Sequence, residues 1–474
     1  MSAAFTWTDA EVRRALGMGA ERTGPLADFA GVTTDSRKVK QDDLFVALVG
    51  EKFDGHDYVD MAVAVGATGA IVSRRLKDAH GGLTLYRVED TLVALGQLAA
   101  HRRAALTVPV VGITGSVGKT STKDFTRGAL GSRFTVHATT GNLNNRIGLP
   151  MTILTTPAEA EVIVVEMGTS EPGEIRALTD IARPTHGILT TAAESHLERL
   201  GSVEGVLEEK LDLVRGLPAA GTALVGDTPA TLPERARTLH PRTRVAGWSE
   251  RADADLRPVD VRVDSGGIHS FSWRGARVTL GVPGRHLVQN ALLALAVAEE
   301  LGVEPGAAAA GVSAVQPGWM RGQIERAGGL TLLLDCYNAN PVSTRAALDL
   351  LELQTEAAGQ RRVAVLGSML ELGPNSDHFH AEVLSYALTR GLDVVVATGA
   401  FASAANRVPA VRHGPRLIAA DTLSEAYALL KPELAGSEVI LLKASRGVAL
   451  ESLVPRLRAD FGAADALPSG QGGH

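Results

Sequence analysis

The residues best suited to chemistry lie in one run, Val110-Val111-Gly112-Ile113-Thr114-Gly115-Ser116-Val117-Gly118-Lys119-Thr120-Ser121. An apolar, β-rich stretch passes into a glycine loop and then into a helical pattern that begins near Lys119. Glycines let successive backbone N–H groups wrap a phosphate, and a helix N-terminus adds partial positive charge. Lys119 can reach the β- and γ-phosphates, and the Thr120 hydroxyl can bind Mg2+. Gly115, Ser116, Gly118, Lys119, Thr120 and Ser121 are therefore candidates for holding ATP. The general pattern G-x-x-x-x-G-K-[ST] is not strictly met, because Ile113 stands where its first glycine would be. The loop is a shortened form, T-G-x-x-G-K-T. A plain strand-to-helix turn that happens to contain Gly-Lys-Thr is the bland alternative, and the flanking strand and helix weigh against it.

Three more residues come into question from their positions. Val162–Glu166 reads as a buried strand ending in a carboxylate, where a nucleotide-binding sheet can hold Mg2+. Glu166 is equally a strand-end carboxylate bonded to a loop. His196 follows the β-rich run 187–191, again at a carboxyl end, but a lone histidine is more often structural. Lys210, in Glu208-Glu209-Lys210-Leu211-Asp212, reads by spacing alone as a solvated helix lysine.

These residues need a scaffold, and the chain's patterning predicts an α/β one. Short β-rich runs alternate with helical patterns at 109–114, 162–166, 187–191 and 222–225, as in a mostly parallel sheet with crossover helices. Ligands sit beyond the carboxyl ends of such strands. The runs 259–263, 268–273 and 277–282 are short, alternating and turn-separated, which predicts an antiparallel appendage. A helix over 286–301 follows, with Gly302 at its C-cap, and Gln316-Pro317-Gly318 breaks the chain. Alternation resumes with strands at 330–334, 362–366, 394–397 and 439–442. The first hundred residues form a smaller unit with strands at 42–48 and 69–73, and the Gly- and Ser-rich tail 467–474 is expected to fray. Three domains follow: 1–105, 106–319 and 320–474.

Composition narrows the partners. A chain of 474 residues exceeds one hydrophobic core, and its net charge of −6 offers no basic field for a nucleic-acid backbone. The single cysteine, Cys336, excludes an intramolecular disulfide and suits a reducing cytoplasm. The N-terminus lacks a charged n-region and apolar h-region, and no apolar run reaches the ~18 residues of a membrane span. A soluble, cytoplasmic protein is expected. A monomer is expected too, although with no exposed apolar stripe standing out the pattern leaves monomer or dimer open.

Together, Gly115–Ser121, Gly141-Asn142-Leu143-Asn144-Asn145, Glu166 and the His196 and Lys210 segments resemble the central domain of the Mur ligases. Pro283-Gly284-Arg285-His286-Leu287-Val288-Gln289-Asn290-Ala291 and Ser445-Arg446-Gly447 extend the resemblance over nearly the whole chain. Asp335-Cys336-Tyr337-Asn338-Ala339-Asn340-Pro341 and Leu366-Gly367-Ser368-Met369-Leu370-Glu371-Leu372-Gly373 resemble the branch of that family that adds D-alanyl-D-alanine to UDP-N-acetylmuramoyl-tripeptide in peptidoglycan synthesis. Thr34-Asp35-Ser36-Arg37, with 43–48 and Asp54-Gly55-His56, resembles its UDP-sugar domain. The resemblance implies a small N-terminal α/β domain for the UDP-sugar, a central phosphate-loop domain for ATP, and a C-terminal Rossmann-like domain that closes over the site. It implies that Lys119, Glu166, His196 and Lys210 are catalytic. Thr120, Glu166, His196 and Lys210, the last carbamylated by CO2, then form the Mg2+ site. His286 and Asn290 match residues near the adenine, and Arg321 and Asp335 match nucleotide contacts at and after the hinge. Ser36, Arg37, Asn142, Asn144, Asn145, Asn338 and Asn340 are implied to meet the substrates.

Three positions depart from the family pattern. Thr190-Thr191 stand where asparagine is usual, Ser368 replaces an aspartate, and Ala444 replaces a glycine. The chemistry implied is transfer of the γ-phosphate of ATP to a carboxylate, then attack by an amine on the acyl phosphate. Rival readings are another Mur ligase, a folylpolyglutamate synthase, and a nucleotide-binding module without catalysis.

Overall fold

The computed structural model describes residues 6–19, 28–76, 82–316, 318–356, 359–409 and 414–462. The tail 467–474, the extreme N-terminus and Pro317 of the predicted chain break lie outside the described residues.

The central sheet has six parallel strands in the spatial order Thr243–Ala246, Thr222–Gly226, His186–Leu189, Val110–Thr114, Val162–Glu166, Val136–Ala138. Val110–Thr114 and Val162–Glu166 are buried at every position, as strands covered by helices on both faces must be. Gly112 lets this packing come close, since a Cβ there would meet Met167, Leu213 and Pro184 at 3.0–3.2 Å. The phosphate-loop strand lies between Val162–Glu166 and His186–Leu189, so three strands deliver their carboxyl ends to one place.

Helix His286–Glu300 is buried on nearly all sides and packs on helix Lys119–Gly131. The appendage is a three-stranded antiparallel sheet, Val259–Val263, His269–Trp273 and Ala276–Thr279. Its Phe271, Trp273 and Val278 share a core with that helix.

The C-terminal sheet runs Gln323–Ala327, Leu330–Asp335, Val439–Lys443, Arg362–Leu366, Val394–Thr398, Arg416–Ala420; the first strand is antiparallel to its neighbour and the rest are parallel. The N-terminal sheet has four parallel strands, Gly31–Thr33, Asp43–Val46, Gly69–Val72 and Thr84–Arg87. Patterning had not picked out several of the short or edge strands: Val136–Ala138, Thr243–Ala246, Gln323–Ala327 and Arg416–Ala420. Few or no positions on these strands are fully buried at both faces, so their sequences carry a weaker apolar signature.

The N-terminal and central parts are held together by packing. Helix Thr91–Ala105 packs against Gly148–Leu154 and Glu174–Ala182, while its Leu95 and Leu98 belong to the N-terminal core. Met151 and Leu154 pack on that same core, which brings the loop carrying Asn142–Asn145 to the N-terminal unit. No helix among the described residues is long and apolar enough to cross a membrane.

Candidate active site

The phosphate loop is held from behind by the strand next to it. Gly115 has φ +152°, and a Cβ there would lie 1.8 Å from Thr190 Oγ1, so no other residue fits. Thr190 Oγ1 donates to Val117 O at 2.6 Å, and Ser116 N–H donates to Thr191 O at 2.8 Å. The two threonines that depart from the family pattern thus clamp the loop. Ser116 requires a correction: its hydroxyl donates to Ala193 O and accepts from Ala193 N–H, both at 2.9 Å, and Ser195 Oγ donates to it. With its N–H also engaged, Ser116 serves the loop's scaffold rather than facing a phosphate.

Gly118, at φ +87°, starts the helix Lys119–Gly131 without a side-chain cap, which leaves its first N–H groups directed at the loop. Ser121 lies in the helix's first turn. Asn290 packs under the same loop. A Cβ on Gly118 would meet its amide at 2.6 Å, so buried Asn290 supports the loop from beneath. Lys119 Nζ donates to Gly115 O at 2.6 Å, folding the ammonium back across the loop. Desolvation lowers its pKa, Glu166 opposes the shift, and the nearby positive charge of Arg321 adds to it.

Thr120 Oγ1 donates to Glu166 Oε2 at 2.9 Å, and Asn144 Nδ2 donates to Glu166 Oε1 at 2.8 Å. Glu166 is 2 % exposed and its own N–H is held by Thr139 Oγ1. Two oxygen donors from helix and strand therefore meet beside the phosphate loop, the donor type Mg2+ prefers, with few protein ligands and phosphate and water making up the rest. No group of three His, Cys, Asp or Glu side chains suited to a metal occurs among the described residues.

Lys210 is not a solvated helix lysine. It is 1 % exposed, and burial together with the charge of Lys119 drives its pKa well down, with Glu209 acting in opposition. Glu209 uses its oxygens on Thr169 Oγ1, Gly173 N–H and Ile175 N–H, anchoring the loop after Glu166. Burial thus works against the charged form of this amine.

The C-terminal domain closes the site from the other side. Arg321 stacks on Tyr337, its Cζ 3.9 Å from the ring centroid, and acts electrostatically on Lys119. Asp335 pairs at 2.7 Å with Lys443, which is 2 % exposed and also donates to Asn338 O. His286 opens its helix as an exposed residue, its imidazole held below the ordinary range by desolvation, with the charge of Asp335 opposing and those of Lys443 and His269 adding. Lys443 was missed by sequence reading, yet it carries the same signal as Glu166, a charge ending a buried strand.

Some implied substrate residues do other work. Asn340 accepts from Ser343 N–H at 2.8 Å and donates its own N–H to Ser343 Oγ, capping helix Pro341–Glu356. Asn145 Oδ1 accepts from Ile147 and Gly148 N–H at the start of helix Gly148–Leu154, and Asn338 Oδ1 accepts from Ala339 N–H. Asn142 is exposed. Ser36 is nearly buried, while exposed Arg37 is held in a two-toothed pair by Asp35. Ser368 Oγ accepts from Ala400 N–H at 2.9 Å, so the departure keeps an acceptor at the start of helix Ala400–Ala405. The methyl of Ala444 lies against Gly367, where a Cβ would be 2.8 Å away.

A phosphate loop, a strand-end carboxylate, a buried lysine and a closing α/β domain define an ATP-dependent ligase, and the chain belongs to the Mur ligase family. Models of that family match in three parts: the Mur ligase family catalytic domain over 28–103, the middle domain over 113–298 and the glutamate ligase domain over 320–446. The particular relatives are narrower in kind. The chain is 37% identical over 433 residues, 90% of its length and 93% of the relative's, to the UDP-N-acetylmuramoyl-tripeptide--D-alanyl-D-alanine ligase of Bacillus subtilis. It resembles a crystal structure of MurF from Acinetobacter baumannii with a TM-score of 0.86 at 30% identity, covering 96% of this chain and all of that one. It also resembles MurF from Thermotoga maritima in complex with ADP, with a TM-score of 0.79 at 27% identity over 91% of this chain and 97% of that one.

Proposed function

We propose that this chain joins D-alanyl-D-alanine to the terminal carboxylate of UDP-N-acetylmuramoyl-tripeptide, with ATP cleaved to ADP and phosphate, yielding the UDP-linked pentapeptide for peptidoglycan synthesis. The similarity to D-alanyl-D-alanine ligases along all three domains carries the reading of the substrates. The phosphate site supports the chemistry. A carboxylate does not condense with an amine in neutral water, so it must first accept the γ-phosphate. Positioning and charge neutralisation then supply most of the catalysis.

Lys119 and the helix N-terminus bind and orient the phosphates. Thr120 and Glu166 would hold Mg2+, with carbamylated Lys210 and His196 as the further implied contacts; when bound, the ion neutralises charge on the transferring phosphoryl group. Arg321 lies where it adds positive charge from the closing domain, and the domain seam keeps water from the acyl phosphate. The dipeptide amine attacks the acyl carbon, phosphate leaves, and the amide forms. A monomer working in the cytoplasm, where the UDP-linked substrate and ATP would meet it, completes the reading.

The test is mass spectrometry of the protein with ATP, Mg2+, UDP-N-acetylmuramoyl-tripeptide and D-alanyl-D-alanine. A UDP-linked pentapeptide that vanishes in Lys119→Ala supports the reading. ADP without pentapeptide would move the substrate elsewhere in the family, and neither product from a folded, ATP-binding chain would remove the catalytic reading.

A further inference from the structure

His196 and Glu371 face each other across the seam between the central and C-terminal domains. His196 Nδ1 lies 2.5 Å from Glu371 Oε2, so the carboxylate faces that ring nitrogen directly. Both residues have left-handed backbones, with φ of +52° and +64°. That conformation costs a non-glycine residue roughly 1–2 kcal/mol and persists where the surroundings over-determine it. Here they do. Glu198 N–H donates to Glu371 O at 3.3 Å. Gly373 sits so close that a Cβ would meet the Glu198 backbone at 3.1 Å, and Phe379 packs on both the C-terminal core and the core beneath His196. Two strained residues from different domains are thus pressed together by a docking contact of their own.

Resting on the ligase reading, the geometry points to Glu371 as a positioning residue that fixes the tautomer and orientation of His196 when the C-terminal domain is docked. With a carboxylate on Nδ1, the proton sits on that nitrogen and Nε2 is left with its lone pair free to ligate a metal. Because the carboxylate comes from the closing domain, His196 takes its working orientation only once that domain is in place. Site assembly is thereby coupled to closure.

Glu371→Asn is the most informative variant, because asparagine adopts the left-handed backbone readily but leaves no charge to reach Nδ1. The turnover number is expected to fall about 10- to 100-fold, with KM for ATP within about twofold and the unfolding midpoint unchanged or raised. Glu371→Gln, which keeps an acceptor, should recover part of the rate. His196→Ala combined with Glu371→Asn should be no slower than His196→Ala alone. A second readout needs no turnover: 15N spectra of histidine-labelled protein should show His196 protonated at Nδ1 in the unsubstituted chain and a mixture of tautomers in Glu371→Asn. Unchanged turnover, additive losses in the double variant, or a proton on Nε2 in the unsubstituted chain would overturn the assignment. Failure of the unsubstituted chain to make pentapeptide would instead count against the ligase reading, leaving the tautomer result to judge Glu371.

Discussion

The phosphate loop and the seam facing it serve one site but are built in opposite ways. The loop draws its working groups from consecutive residues, 114–121, and is clamped by hydrogen bonds from Thr190, Thr191, Ala193 and Ser195 in a single neighbouring segment. The seam brings together Arg321, Asp335, Glu371 and Lys443 from the C-terminal domain with Lys119, His196 and His286 from the central one. A site needed throughout the cycle can be rigid, whereas one that must admit two substrates and then exclude water has to be assembled from parts that separate. Substitutions in the loop should therefore strike the phosphate chemistry or the clamp beneath it, and substitutions in the seam should act through the pairs made within and across it.

The largest effect is expected from Lys119→Ala, which removes the phosphate cation from a half-buried position: ADP formation should drop by about 10²–10³-fold or more with little change in melting temperature. Next, Gly115→Ala forces a methyl onto Thr190 Oγ1 and should destabilise the chain by about 3 kcal/mol in denaturant unfolding. Adding Thr190→Ala should return part of that loss, and no recovery would mean the clamp is drawn wrongly. Lys443→Met leaves Asp335 without its buried partner. Removing one member of a buried pair is costly, and the partial exposure of Asp335 reduces this to about 2 kcal/mol. If the seam is a nucleotide contact as well, KM for ATP should rise in the same variant. Asn340→Ala, by contrast, removes a helix cap worth about 1 kcal/mol and should leave turnover nearly intact.

The smallest effect lies far from both regions. Burial works to raise the pKa of Asp54 but is outweighed by hydrogen bonds from the His56 backbone and ring and from Arg74, which hold it down to about 2. A depressed acid contributes stability that is full above its unfolded value of 3.8 and is lost as the pH falls through about 2. Asp54→Asn should cost on the order of 1 kcal/mol at pH 7, allowing for solvent screening of a side chain about one-third exposed. In urea titrations the gap between the two proteins should narrow steadily from pH 4 towards pH 2.

Much of this molecule could be read from its sequence, and the reason is locality. The phosphate loop works through adjacent residues, so Gly115, Gly118, Lys119 and Thr120 announced themselves. Buried parallel strands such as Val162–Glu166 are apolar throughout, and a charge at the end of one stands out. Other assignments depended on distant partners. Lys210 looked like a solvated helix lysine, and it is the packing of helix Val203–Arg215 that buries it beside Lys119. Asn340, Asn145 and Ser116 carry side chains equally able to bind substrate or to satisfy a backbone group, and the tertiary structure gives them to the backbone. Sequence determined which residues can do chemistry and which segments must be buried. The fold alone decided which polar groups are left free for substrate, because that depends on what lies within about 3 Å of each one, drawn from parts of the chain far apart.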